Sequence, residues 1–308
     1  MLLPQTKVAY LEPGDTIDII APSSKCHPSV LDKFRDIIHS WGLHCHIPND
    51  LFGDNLLYAN SDEKRFTHLQ NALLNPNSKA VWCLLGGYGS TKLMPRLNQI
   101  KLPPHSKLLM GFSDITALHI FLQNQWGWPT LGAPSGYQVS LNRVAKTSVE
   151  LLQTILFRKE ESLIYDNITP LNQLANKQHT ITAPIIGGNL HLIQASLGTF
   201  WQINATEKIL FIEEFNERAY RIDRILAQLE QAGIFKGAMA ILFGDMIDKG
   251  EPDGRFLVKD VIQEFATQCA LPVLQISNIG HGAINNPLLL GHPATLVMKE
   301  SCYLEFLL

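Results

Sequence analysis

Short apolar runs alternate with segments of helical period through the first half of the chain. Residues 16–21, 43–47, 79–85 and 107–111 are brief, rich in branched and other apolar side chains, and bounded by turn residues, which predicts strands. Between the first two, Val30, Phe34, Ile37 and Trp41 recur at i, i+4, i+7 and i+11, and Gly42 supplies a stop. Phe66, Leu69 and Leu73 repeat the pattern ahead of Pro76. Strands separated by helices in this order predict a parallel sheet covered on both faces.

From about residue 136 to 178 the pattern loosens. One helical run (Val149, Leu152, Ile155) stands among Asn-rich polar turns, which marks a connection between halves. Beyond it, strands are expected at 181–186, 208–213, 238–243, 272–276 and 295–298, with helices at 189–197, 218–232 and 257–268. The expected organisation is therefore an N-terminal α/β domain over 1–140, a connection over 141–178, and a C-terminal α/β domain with a more mixed sheet over 179–308. Neither an internal repeat nor a low-complexity segment interrupts it.

Composition agrees with an ordinary globular protein of two domains, or one large one: 308 residues, 46% hydrophobic and 17% charged. A formal net charge of −3, from 25 basic and 28 acidic residues spread along the chain, offers no basic face for nucleic acid. The N-terminus lacks a basic stretch followed by a sustained apolar one, and no window reaches the ~18 apolar residues of a membrane span. A cytoplasmic protein without a membrane partner is expected. Cys26, Cys45, Cys83, Cys269 and Cys302 are odd in number, widely spaced and without a CxxC pair, so they predict reduced thiols rather than disulfides or a zinc site. His44 and His46 alternate around Cys45 and could face one side of a strand, but no third ligand is near, and a plain strand is the expectation. No metal or cofactor is called for.

Four segments carry candidate chemistry. In LLMGFSDITALHIF, Ser113 stands where a strand ends and a helix begins, with Gly111 permitting a tight turn; backbone N–H groups there can meet a developing oxyanion. A serine at this place is also a common N-cap, and Ile115 replaces the second glycine of a GxSxG elbow. LLGGYGSTKL supplies Gly86, Gly87 and Gly89 around Tyr88, a loop whose backbone can approach an oxyanion, a carboxylate or a phosphate; phosphate-loop and dinucleotide spacings are both missing. KILFIEEFNERAYRIDRILAQL ends an apolar strand on Glu213 and Glu214, which alternation sends to opposite faces, and a strand-end carboxylate is well placed to orient a histidine. In SNIGHGAINNPLLLG, His281 lies between Gly280 and Gly282, accessible and placed to act as a general base. His119 and His191 are expected to be packed or capping. Serine, carboxylate and histidine, each at a strand end or just beyond, form the arrangement of a triad in an open α/β sheet.

Taken together, these segments resemble the LD-carboxypeptidase family of serine peptidases, whose members cut an amide joining an L-centre to a D-residue. The resemblance runs through PGDTIDIIAPSS (13–24), GGYGS (86–90), GFSDITALH (111–119), GGNL (187–190), IEEFNERAYRIDR (212–224) and GHGAINNPLLLG (280–291), in the family's order. It implies Ser113 as nucleophile, His281 as base and Glu213 as the orienting acid, with backbone N–H groups near Gly87 and of Asp114 as oxyanion hole and Gly86 and Tyr88 beside it. It also implies a flavodoxin-like N-terminal domain, a C-terminal α/β domain, a site in the cleft between them, and a homodimer. The implied substrate is a murein tetrapeptide that loses its terminal D-alanine during peptidoglycan recycling.

Two departures bear on substrate choice. Leu85 stands where the family usually has arginine, and Glu214 where it usually has aspartate. Lys92 or Arg96 could supply the missing charge for a substrate carboxylate. One alternative is a relative similar to microcin-immunity peptidases acting on a peptidyl or aminoacyl nucleotide, for which Trp126, Trp128 and Tyr137 are candidate stacking groups. Another is a non-catalytic anion-binding module in which Ser113 only caps a helix.

Overall fold

The computed structural model describes residues 7–177 and 179–308. The first six residues of the expected N-terminal domain and Gln178, the last of the expected connection, lie outside them. The chain forms two compact units that divide at Lys159/Glu160, and Asn286–Leu289 return to the first.

The first unit contains β1 (Thr16–Ile20), α1 (Val30–Ser40), β2 (His44–His46), α2 (Asp62–Leu74), β3 (Ala80–Cys83), α3 (Met94–Leu97), β4 (Leu108–Gly111), α4 (Thr116–Phe121), β5 (Thr130–Gly132), α5 (Gly136–Ser140) and α6 (Lys146–Leu156). Its sheet runs β2-β1-β3-β4-β5, and a sixth strand from Leu288–Leu290 completes it beside β5. Neighbours among the first five pair in parallel, with Ile19 opposite Trp82 and Trp82 opposite Met110. This is the flavodoxin-like strand order, in which the loops after β1, β3 and β4 meet near the point where the order reverses. Every residue of β3 and β4 is buried, as strands covered on both faces require. α1 buries Val30, Phe34 and Ile38 and stops before Gly42, whose φ of +78° breaks the helix at little cost.

Asp18 is an acidic residue inside this core. It accepts from His46 Nδ1 (2.8 Å), Asn75 Nδ2 (2.9 Å) and Ser78 Oγ, with Lys107 Nζ 3.8 Å away, so its charge is fully compensated. His46 is thereby tied to the edge of the sheet, and no group of three or more His, Cys, Asp and Glu among the described residues could hold a metal ion.

The second unit contains β6 (Ser162–Pro170), β7 (His179–Asn189), α7 (Leu190–Ser196), β8 (Ile209–Glu217), α8 (Ala219–Gln231), β9 (Ala240–Asp248), α9 (Val258–Gln268) and β10 (Val273–Ile276); after β11 (Leu288–Leu290) come β12 (Pro293–Met298) and β13 (Cys302–Leu307). The mixed sheet closes on itself in the order β10-β6-β13-β12-β7-β8-β9. β7 shows why both pairing modes coexist. Residues 179–184 pair antiparallel with β12 and alternate toward exposure, whereas 185–189 pair in parallel with β8 and are wholly buried. The parallel part needs cover, and α8 presents Ile222, Ile225, Leu226 and Leu229 on one buried stripe.

The segment expected as a connection contributes α6 to the first unit and β6 to the barrel. β6 alternates buried Leu163 and Tyr165 with exposed Ile164 and Asp166, a half-buried strand whose outward isoleucine blurs its period. No helix among the described residues is long and apolar enough to cross a membrane.

Candidate active site

In the first unit, three loops at the carboxyl ends of adjacent strands come together. Ser113 follows β4 with φ +63°, a left-handed conformation that costs a non-glycine residue about 1–2 kcal/mol and is retained where the surroundings enforce it. No side-chain cap hydrogen bond forms at this helix start, so Ser113 is not an N-cap. A short 3-10 turn, Ser113–Ile115, leads into α4.

The close approach that a second elbow glycine would allow is supplied from β3 instead. A Cβ on Gly86 would lie 3.0 Å from Phe112 O and 3.1 Å from Ser113 Cβ. Ile115 uses the space that Gly111 leaves, since a Cβ there would come within 3.0 Å of Ile115 Cγ1.

The loop after β1 locks this pair. Ser24 N–H donates to Gly86 O (3.1 Å), and Ser24 Oγ accepts from Tyr88 N–H (3.1 Å). Between them Gly87 is exposed with φ +95°, and none of the described residues accepts from its N–H. A Cβ on Gly87 would strike Ser24 Oγ. Gly87→Ala is therefore expected to lower stability by about 1–3 kcal/mol and to cut turnover, because strain and clash act together. Unchanged values of Tm and kcat/KM would show that the loop relaxes freely.

Asp114 turns its side chain inward. The carboxylate accepts from Ser23 Oγ (2.5 Å) and Ser90 N–H (2.8 Å), while Ser90 Oγ donates to Asp114 O (2.6 Å). Burial pushes its carboxyl up, against these hydrogen bonds, which pull it down. One buried carboxylate thus joins the loops after β1, β3 and β4. Beneath them, His119 Nε2–H donates to Gly111 O (2.9 Å), and burial lowers its pKa to about 4, so it is a neutral strut. Buried Arg65 donates to Gly89 O (2.9 Å) and to Pro22 O, tying the glycine loop to α2.

Exposed Tyr88 packs on Tyr58 (5.5 Å between ring centroids), and Lys92 Nζ stands 5.9 Å from the Tyr58 ring. Lys92 therefore belongs to the Tyr88 cluster, whereas Arg96 packs on Phe66 (5.7 Å). Trp126 and Trp128 are buried against each other (5.0 Å), whereas Tyr137 of that trio is half-buried, with Arg143 over its ring (5.2 Å) and donating to its hydroxyl (2.9 Å).

In the second unit, β8 delivers Glu213 and Glu214 to different partners. Glu213 is 3% exposed, and its Oε2 accepts from His281 Nδ1 at 2.6 Å. Its Oε1 is buried without a hydrogen-bond partner among the described residues. Glu214, equally buried, accepts from Asn189 Nδ2 (3.0 Å), His191 N–H (3.1 Å) and His191 Nδ1 (2.6 Å). Glu217 reaches His191 Nε2 at 3.2 Å. Each glutamate thus has its own histidine. Burial disfavours the charged form of His281, but the Glu213 charge and hydrogen bond, helped by Glu214 and Asp245, hold its pKa above the usual imidazole value. Phe215, half exposed, stacks on the His281 ring with centroids 5.0 Å apart and planes 19° apart.

Family comparison meets this geometry at both ends of the chain. The LD-carboxypeptidase N-terminal domain matches residues 17–133, and the LD-carboxypeptidase C-terminal domain matches residues 182–296. The chain belongs to the LD-carboxypeptidase family. A Rickettsia conorii protein provisionally named a carboxypeptidase is 35% identical over 287 residues, covering 92% of this chain and 89% of its own. The murein tetrapeptide carboxypeptidase of Pseudomonas aeruginosa is 28% identical over 284 residues, 91% and 92% of the two chains. Among solved structures, a muramoyltetrapeptide carboxypeptidase from Oxalobacter formigenes superposes with a TM-score of 0.78 at 24% identity, over 94% of this chain and 98% of its own. An MccF-like protein from Bacillus anthracis gives 0.83 at 20% identity, over 97% and 98%. At these identities the two structures speak for the fold.

The expected residues of this LD-carboxypeptidase family member fall into two groups. Gly86, Gly87, Tyr88, Ser113 and Asp114 are gathered in the first unit, and Glu213 and His281 in the second. Sequence reasoning missed Ser24, Ser90, Phe215 and Asp245. Small hydroxyl residues in loops carry no signal of their own, and Phe215 reads as one more strand residue.

Proposed function

We propose that the chain is a serine-type LD-carboxypeptidase that releases a C-terminal D-alanine from murein tetrapeptides. The observation that carries this reading is the 2.6 Å bond from His281 Nδ1 to a buried carboxylate, in a chain whose family is one of carboxypeptidases. A histidine held in this way presents Nε2 as the proton acceptor, and the raised imidazole pKa strengthens that base.

In the proposed reaction Ser113 Oγ attacks the scissile carbonyl and its proton passes to His281 Nε2. The N–H groups of Gly87 and Asp114 receive the oxyanion. Collapse transfers the proton from His281 to the departing amine of D-alanine, and water then hydrolyses the acyl-enzyme by the same route in reverse. Glu213 orients the imidazole throughout and stabilises the imidazolium. Lys92, in the Tyr88 cluster, is the proposed partner of the substrate's terminal carboxylate in place of the arginine replaced by Leu85. The proposal includes a homodimer working in the cytoplasm, as the resemblance implies.

One tetrapeptide prepared with a terminal D-alanine acid, the D-alanine amide and the L-alanine acid tests this reading, with products followed by mass spectrometry. Cleavage of the first is expected at least ~10²-fold faster than of the other two, since the carboxylate and the D-centre position the scissile bond in the transition state. Equal cleavage of all three, or cuts at internal bonds, would remove the carboxypeptidase assignment. Preferential hydrolysis of a peptidyl nucleotide would transfer the same residues to the microcin-immunity reading.

A further inference from the structure

The loop that carries His281 is shaped by a residue on a different strand. Asp245, near the middle of β9, donates its N–H to Ile279 O (2.8 Å) and accepts from Asn278 N–H through Oδ1 (3.0 Å). The glycines on either side of His281 pack on the same residue. A Cβ on Gly280 would lie 3.1 Å from Asp245 Cβ and 3.3 Å from Glu213 Oε2, and a Cβ on Gly282 would lie 3.0 Å from Asp245 Oδ2. Gly280 also has φ +143°, which L side chains rarely adopt. The Gly-His-Gly motif is thus a packing requirement as much as a source of accessibility: space that two side chains would fill is taken by Asp245 and Glu213.

We propose that Asp245 is a positioning residue for His281, fixing its loop through Asn278 and the two glycines and adding a negative charge beside the imidazole to those of the two glutamates. The proposal rests on the reading of His281 as the general base. The charged groups that face His281 are Glu213 and Glu214 from β8 and Asp245 from β9, and residues 277–285 add no other titratable side chain. Asp245 and the two glutamates all favour the imidazolium. Burial pushes the Asp245 carboxyl up, and the Glu213 charge adds to this, opposed by the Asn278 N–H and by His281. Two carboxylates on adjacent strands thus share one histidine: Glu213 by a hydrogen bond, Asp245 through space and through the loop backbone.

Asp245→Asn in the full chain removes the charge while keeping the shape and an oxygen for Asn278 N–H. The His281 imidazole titration, followed by NMR of ¹⁵N-histidine-labelled protein, is expected to move down by about half to one pH unit. The acid limb of kcat/KM should move down by the same amount, with KM nearly unchanged. A purely structural role would lower Tm and leave both titrations in place, and that result would overturn the proposal. A titration that moves while the acid limb stays supports the charge effect and removes His281 as base, so the two readings fail separately. Asp245→Ser, which retains an acceptor for Asn278, is read in the same way if the asparagine variant does not fold.

Discussion

Ser113→Ala and His281→Ala are each expected to lower kcat by roughly four to six orders of magnitude, with the double variant little worse than either alone. Members of a nucleophile–base unit cannot act without each other, so their losses do not add. The left-handed backbone at Ser113 makes the serine variant a clean one. Loss of a hydroxyl relieves nothing in that turn, because the conformation is held by Gly86, Ile115 and the Asp114 network rather than by the serine side chain. Tm should therefore stay within a few degrees of the parent. A fluorophosphonate probe should label the parent at Ser113 and leave Ser113→Ala unlabelled. Near-parental turnover in either variant would overturn the triad assignment, and absence of both turnover and Ser113 labelling in the parent would return Ser113 to the role of a structural residue in an anion-binding module.

The second large effect separates two adjacent glutamates. Glu213→Gln should reduce kcat by about 10²- to 10⁴-fold, since an amide facing His281 Nδ1 permits the wrong tautomer and leaves the imidazolium without its counter-charge. The residual activity should also shift. With the principal carboxylate gone the imidazole pKa falls, so the acid limb of kcat/KM moves to lower pH. Glu214→Gln should change kcat by less than about tenfold and cost about 1–3 kcal/mol of stability, because the bonds it disturbs run to His191, Asn189 and Phe215. Steady-state kinetics and thermal unfolding of the two variants decide this, and the opposite ranking would mean that Glu214 is the orienting acid.

That distinction was open to view in the chain itself. Period-two alternation sends consecutive strand residues to opposite faces, and although the β8–β9 register shifts between Ile212 and Glu214, the structure pairs one glutamate with His281 and the other with His191. The parallel order of the first sheet was equally legible, since fully apolar runs such as AVWC and LLMG are suited to strands covered on both sides. Closure of the second sheet was not. It depends on β6, β12 and β13 finding partners far along the chain, and alternation reveals that a strand is half-buried without saying which strand lies beside it. β6 was further obscured by exposed Ile164, which interrupts its alternation. Around the histidine, the two glycines were visible, but Asp245, against which both of them pack, is one acid at no distinctive spacing.

The strand Leu288–Leu290 has a consequence for how the molecule is made. It closes one edge of the first sheet against β5, although everything between Glu160 and Asn285 belongs to the other unit. During synthesis, which generally lets N-terminal domains fold first, the five-stranded part can assemble early but keeps β5 as an open edge until residue 288 has emerged. By then most of the barrel has been translated. The two units are therefore interleaved in time as well as along the chain, and a fragment ending near residue 159 would expose an unpaired strand prone to association. The same strand is joined to His281 by only a few residues. The peptide that finishes the first sheet is thus the direct continuation of the loop carrying the proposed base.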